Sequence, residues 1–187
     1  MRTAISLILI FFFLLVCKSS EEDVNYGLNH YKMGLYNQAI PSLIASVSAF
    51  EKQFPTDPRV TQAYLALGVM AQSDEQNEKA EHYMKQALIA AKNVSKDKDI
   101  HFRNAHNTIG NFYIAREKYK LALPHLNQAL ELSKAANTDP VLTAIDIDNI
   151  ALVYSELGEH KKSLELSNEA LASNNKLPDH KHFLRTK

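Results

Sequence analysis

The sequence predicts an all-α chain of four antiparallel helical hairpins, and three series of small residues predict it. Gly27, Gly68, Gly110 and Ala151 are separated by 41, 42 and 41 residues. Ser46, Ala87, Ala129 and Ala170 keep the same spacings, as do Ala39, Ala80, Ala122 and Ser163. Large residues stand between them at helical spacing: Tyr64, Leu67, Ile109, Tyr113, Ile150 and Tyr154 in the first helices, and Leu43, Met84 and Leu126 in the second. Helices approach to about 8 Å only where the side chains at the crossing are small. A glycine inside a helix costs about 1 kcal/mol relative to alanine, so its repeated use there implies tight contact.

The stretch from Ala105 to Leu132 shows the unit most clearly. Ile109, Gly110 and Tyr113 mark one helix, and Tyr119, Ala122, Leu123, Leu126, Ala129 and Leu130 mark the next. Arg116-Glu117-Lys118 between them is polar and short enough only for a tight turn. The same pattern places helices at about 22–33, 37–53, 58–73, 76–94, 99–115, 118–136, 140–156 and 160–174. Helix starts repeat as well. Thr56-Asp57-Pro58 and Thr138-Asp139-Pro140 each offer an aspartate cap with proline in the first turn, and Asp99 falls at the equivalent place. Pro41 and Pro124 come early in second helices, which are expected to start late or bend there. Lys92 to Asp99 reads as a solvated connection.

Ahead of the repeats, Arg2 precedes a thirteen-residue apolar run, Ala4 to Val16. It is shorter than the ~20 residues of a spanning helix and matches the hydrophobic region of a secretory signal. An uncleaved anchor or a buried helix is the alternative. Leu14-Leu15-Val16-Cys17 resembles the lipobox of bacterial lipoproteins, although Val16 departs from the small residue usual before the cysteine. Cleavage near Ser19 or Ser20 is the other possibility. The expected layout is a signal over 1–17 with Cys17 as lipidation site, a tether over 18–22, repeats at about 23–55, 56–96, 97–137 and 138–175, and a tail over 176–187. Asp179 falls one period after Asp139, so the tail is expected to begin a partial capping helix.

Composition narrows the function. Twenty-one basic and twenty-one acidic residues cancel without long runs of either sign, which argues against nucleic acid. Cys17 is the only cysteine, so neither an intrachain disulfide nor a cysteine metal cluster can form. Eight histidines invite a metal search. His101 and His106 are five apart on one helix and diverge by about 140°. His30 and His106 fall on inward or groove-edge positions and read as structural. HExxH, phosphate-cradling glycine loops and GxSxG are all absent from the sequence. No catalytic site, metal site or cofactor is expected.

Gly27 with Gly34-Leu-Tyr36-Asn-Gln-Ala39-Ile40, Leu67-Gly68 with Ala80 and Ala87, Ile109-Gly110-Asn-Phe-Tyr113 with Tyr119, Ala122 and Ala129, and Tyr154 with Gly158 and Ala170 resemble tetratricopeptide repeats. The period exceeds the usual ~34 residues and is closer to the long-helix variety of kinesin light chains. The resemblance spans about Asp23 to Asn175, and repeat four departs from it at Ala151, Ser163 and Ser167. It implies a right-handed α-solenoid whose first helices line a concave groove.

One stripe on each first helix would face that groove. The stripes read Glu21, Val24, Leu28, Tyr31; then Gln62, Leu65, Val69, Gln72; then Asn104, Asn107, Asn111, Ile114; then Ile145, Asp148, Leu152, Ser155. Amides among aliphatics suit an extended peptide, and Asn111 matches a place where peptide-binding members of the family carry asparagine. Solvated polar positions are the plainer reading. The sixteen positions contain no base, with Lys32, Arg103 and Arg116 beside them at best, so clamping a terminal carboxylate is disfavoured, the more so near Asp148. The expectation is a non-enzymatic adaptor of the bacterial envelope, with groove residues Gln62, Leu65, Val69, Gln72, Asn104, Asn107, Asn111, Asp148, Leu152 and Ser155 holding a protein or peptide partner. An extracytoplasmic sensory module of a signalling system is the alternative.

Overall fold

A computed structural model describes residues 19–94, 98–135 and 139–174. The apolar run, Cys17, part of the Lys92–Asp99 connection and the tail with Asp179 lie outside the described residues. Within them the chain is all-α and belongs to the solenoid class of paired antiparallel helices. The helices are α1 (residues 19–32), α2 (Tyr36–Gln53), α3 (Pro58–Ser73), α4 (Asn77–Asn93), α5 (Lys98–Ile114), α6 (Tyr119–Ala135), α7 (Pro140–Glu156) and α8 (His160–Asn174). The chain divides into two compact units, 1–101 and 102–187, with the boundary inside α5.

Each hairpin corner uses the same backbone device. Gly34, Glu75, Glu117 and Gly158 have positive φ, between 56° and 80°, and fall in register one repeat apart. The residue after each donates its N–H back to a carbonyl five residues earlier: Leu35 to His30, Gln76 to Ala71, Lys118 to Tyr113 and Glu159 to Tyr154, at 2.8–2.9 Å. This is a Schellman ending, which satisfies helix-end carbonyls and turns the chain at once. The following helix starts from that same residue, as when Ala39 donates to Leu35 and Ala80 to Gln76. At the other end of the repeats, Asp57 and Asp139 accept from the N–H groups of Arg59 and Val141, with Pro58 and Pro140 next. The expected caps are therefore formed. Asp99 is not one of them; it lies within the first turn of α5.

The repeated glycines sit where the two helices of a hairpin touch. A Cβ on Gly27 would come within 2.6 Å of the Leu43 side chain, and one on Gly110 within 2.4 Å of Leu126. On Gly68 it would meet Met84 at 3.0 Å. Leu43, Met84 and Leu126 are fully buried and occupy one register. In the last hairpin both partners change together, to Ala151 and an exposed Ser167. Removing the large side chain makes room for the extra methyl.

The first unit's core joins Val24 and Leu28 of α1, Leu43, Val47 and Phe50 of α2, Val60, Ala63, Leu67 and Met70 of α3, and Ala87 and Ala90 of α4. In the second, Ala122 and Leu126 of α6 pack with Ile150 and Val153 of α7, while Ile147 of α7 meets Ala170 of α8. Two details concern helix starts. The first helix is already formed at residues 19–22; Ser20 is buried and donates to Gln53 Oε1 at 3.0 Å. Pro41 and Pro124 lie inside α2 and α6, which begin a full turn before them, so of the two expected outcomes, a late start or a bend, the late start does not occur. Each ring removes one helical donor.

The crossing contacts predict unequal costs for the same substitution. Gly110→Ala overpacks Leu126 for about 1–3 kcal/mol and recovers about 1 kcal/mol of helix propensity, so urea unfolding is expected to show a net loss. Gly68→Ala, opposite the more pliant Met84, comes out close to neutral. Gly110→Ala/Leu126→Ser, copying the last hairpin, relieves the overlap.

Candidate partner-binding surface

In the second unit the surface rests on a buried ion pair. Arg103 of α5 and Asp146 of α7 are 5% and 0% exposed. The guanidinium donates to both carboxylate oxygens, Nη2 to Oδ1 at 2.6 Å and Nε to Oδ2 at 3.0 Å. Nη2 also donates to the Leu142 carbonyl at 3.0 Å, and Ser133 of α6 donates its hydroxyl to Asp146. Three helices are therefore tied at one point. Burying two charges costs several kcal/mol per ion unless each is fully hydrogen-bonded, and here the bidentate contact and its neighbours supply those bonds.

The pair reaches the predicted groove residues. Asn107 donates Nδ2 to Asp146 Oδ1 at 2.9 Å, and Asn111 donates Nδ2 to Asn107 Oδ1 at 3.1 Å. Arg103 Nη1 donates to Asn104 Oδ1 at 3.0 Å. Asn107 is thus committed internally and cannot offer a partner the full carboxamide expected of it, whereas Asn111 stands exposed at the end of the chain of bonds. On α7, Asp148 and Leu152 are exposed and Ser155 is half-buried. Asn111 and Leu152 occupy the same register on helices that the Asn107–Asp146 bond holds side by side.

In the first unit Gln62, Leu65, Val69 and Gln72 are all half-buried along α3. The stripe expected on α1 is different: Val24 and Leu28 are buried, because these apolar side chains join the core made with α2 and α3. A second polar cluster binds α1 to α3 here. Arg59 donates to Glu21 at 2.9 Å, to Asn25 at 3.0 Å and to both oxygens of Asp57, and its guanidinium lies 4.9 Å from the Phe50 ring centroid. The Arg59 hydrogen bonds hold the Asp57 carboxyl below the usual aspartate range.

Outside the stripes, His106 of α5 and His125 of α6 meet with Nδ1 atoms 3.1 Å apart, beside Phe102 and Tyr113. Burial holds the His125 imidazole below the usual histidine range. His30 Nδ1 lies 2.8 Å from the Tyr26 carbonyl. Among the described residues no three histidine, cysteine or acidic side chains gather to hold a metal ion, and no helix is long and apolar enough to cross a membrane.

Hairpins of this length, with glycine at the crossing and a left-handed corner, have known counterparts. Residues 102–176 match the tetratricopeptide repeat family. The matched segment starts where the second unit starts. Among solved structures, BtubC (BKLC) of P. vanneervenii superposes with a TM-score of 0.73 at 17% identity over 86% of this chain and 66% of its own. For Pseudomonas aeruginosa PilF the TM-score is 0.63 at 19% identity, covering 86% of this chain and 64% of that one. Nearly identical kinesin-light-chain TPR-like repeats from Podospora anserina give 0.66 at 15% identity, over 87% and 78%. These likenesses show the fold. The chain spans slightly less than two thirds of the first two structures. No curated protein matches the sequence.

The register of the repeats also shows which positions the buried charges occupy. Asp146 occupies the position held by Ala63 and Ala105, both fully buried; Arg103 occupies that of Thr61 and Ala144. Comparing repeats position by position, and not only by their small residues, would have flagged both. The histidine pair has equivalents too, Tyr64 with Tyr83 and Ile147 with Leu166.

Two measurements follow. Arg103→Met alone strands a buried carboxylate and is expected to cost about 3–5 kcal/mol; Arg103→Met/Asp146→Ala, which restores the alanine of the other repeats, should recover most of it in denaturant titrations. For His125, the unfolded chain takes up a proton first as pH falls. Stability is therefore complete above about pH 6.5 and declines below it toward the lower folded value. His106→Ile/His125→Leu, the pair used in the last repeat, should flatten the melting temperature between pH 7.5 and 5.5.

Proposed function

We propose that this chain is a non-enzymatic tetratricopeptide adaptor of the bacterial cell envelope, holding a protein segment against the faces of its first helices. The observation that carries this is the exposed strip of the second unit. Asn111 on α5 and Ile145, Asp148 and Leu152 on α7 present amide, carboxylate and aliphatic groups on adjacent helices. An interaction surface needs such a mixture, with apolar groups contributing burial and polar groups setting register. On α3, Gln62, Leu65, Val69 and Gln72 offer a second face of similar chemistry. The envelope location rests on the apolar run before Cys17, and a multiply acylated cysteine would hold the chain firmly at a membrane.

Crosslinking and recovery from membranes test both parts. Asn111→Ala/Leu152→Glu is expected to reduce the recovered partner at least tenfold while the protein stays folded, because both side chains are surface groups. Equal recovery contradicts the adaptor surface. Cys17→Ser is expected to release the protein into the soluble fraction, and unchanged retention contradicts acylation.

A further inference from the structure

We propose that the first unit carries a receptor pocket for a tyrosine side chain of a partner protein, set between α2, α3 and α4. The proposal takes the existence of a protein partner from the adaptor reading above and concerns a different surface. A cavity of about 250 Å³ opens between Ile40 and Ile44 of α2, Leu67, Met70 and Ala71 of α3, and Tyr83 of α4. Ile44 is 53% exposed, so one wall reaches solvent and the cavity can be entered from outside. An apolar cavity of about 150 Å³ is already enough to take a benzene ring.

The repeats show why the cavity is there and what fits it. Three residues after each crossing glycine or alanine stand His30, Ala71, Tyr113 and Tyr154. In the second unit Tyr154 packs with Ile150 and Val153 of its own helix, Leu123 of α6 and Leu166 of α8. Those four are the counterparts, two repeats further along, of Leu67, Met70, Ile40 and Tyr83 around the cavity. The first unit therefore builds the same apolar walls around an alanine. Lys162 of α8 completes the filled version: its ammonium lies 4.0 Å from the Tyr154 ring centroid and donates to the hydroxyl at 2.8 Å. Lys79 holds the matching position on α4 and lines the cavity. A cation there favours the face of an aromatic ring and can donate to a phenol oxygen. The Asp74 carboxylate, which also lines the cavity, can accept the phenol O–H. An aliphatic side chain would fill part of the space and use neither polar group.

N-acetyl-tyrosinamide, N-acetyl-phenylalaninamide and N-acetyl-leucinamide, titrated into the intact chain with labelled methyl groups, test this. The tyrosine amide is expected to bind saturably and several-fold more tightly than the leucine amide, shifting the Ile44 and Met70 methyl signals. Lys79→Met, an exposed position, is expected to lower its affinity several-fold and bring it level with the phenylalanine amide. Ala71→Tyr, which copies repeats three and four, is expected to raise the melting temperature and abolish binding. Failure of that variant to fold would show that no ring fits at this register and overturns the proposal. Unchanged binding in Ala71→Tyr, or equal affinities for the tyrosine and leucine amides in the native chain, overturns it too. All of this is read without a partner, so a negative result leaves the strip on α5 and α7 standing. Unchanged partner recovery by Asn111→Ala/Leu152→Glu, in turn, counts against that strip and not against the pocket.

Discussion

The Arg103–Asp146 pair is the constraint on which the second unit's surface depends. Each partner brings a full charge into a position that other repeats fill with a small residue, and neither charge could stay there alone. The fold does not need them: Ala63, Ala105 and Ala144 occupy the corresponding places without charge and are equally buried. A buried ion pair is weak evidence of added stability, since apolar replacements of similar shape often do as well. Its consequence here is orientation. Four acceptor contacts at Asp146 and the donor fork of Arg103 orient the neighbouring asparagines, and the chain of bonds reaches solvent at Asn111.

Beneath this pair lies a simpler rule shared by all the hairpins. A glycine faces a large aliphatic side chain at each of the first three crossings, and a left-handed residue closes every corner. The rule is tolerant, as the exchange of glycine and leucine for Ala151 and Ser167 shows. Once crossings and corners are set, the outward positions of the first helices are free to vary. This is how one backbone plan carries a half-buried amide and aliphatic face on α3 and exposed amide, acidic and aliphatic groups on α5 and α7. The histidine pair is a further variation, placed where Ile147 and Leu166 serve in the last repeat.

Much of this was legible in the sequence because packing distance leaves a periodic trace. Helix ends fall within a few residues of where the small-residue series put them, and the glycines sit at the tight helix contacts that their spacing implied. Three things were not legible. Asp146 looks like any helical acid until it is aligned with Ala63 and Ala105, since charge alone does not distinguish a buried carboxylate from a solvated one. Asn107 reads from its spacing as a groove amide, but its bond depends on Asp146, 39 residues away. Val24 and Leu28 have the spacing of a groove stripe, and only the packing of α1 on its neighbours shows that they belong to the core. Spacing marks a helix face; it does not say what lies against it.

Side-chain hydrogen exchange observed by NMR tests the central claim most directly. If Arg103 and Asp146 are paired in a dry site, the Arg103 Nε–H and the Asn107 Nδ2 protons should exchange far more slowly than the NH₂ of the exposed Asn37. Exchange of all three at the same fast rate would mean that the pair is open to water and that nothing fixes the orientation of the amides above it.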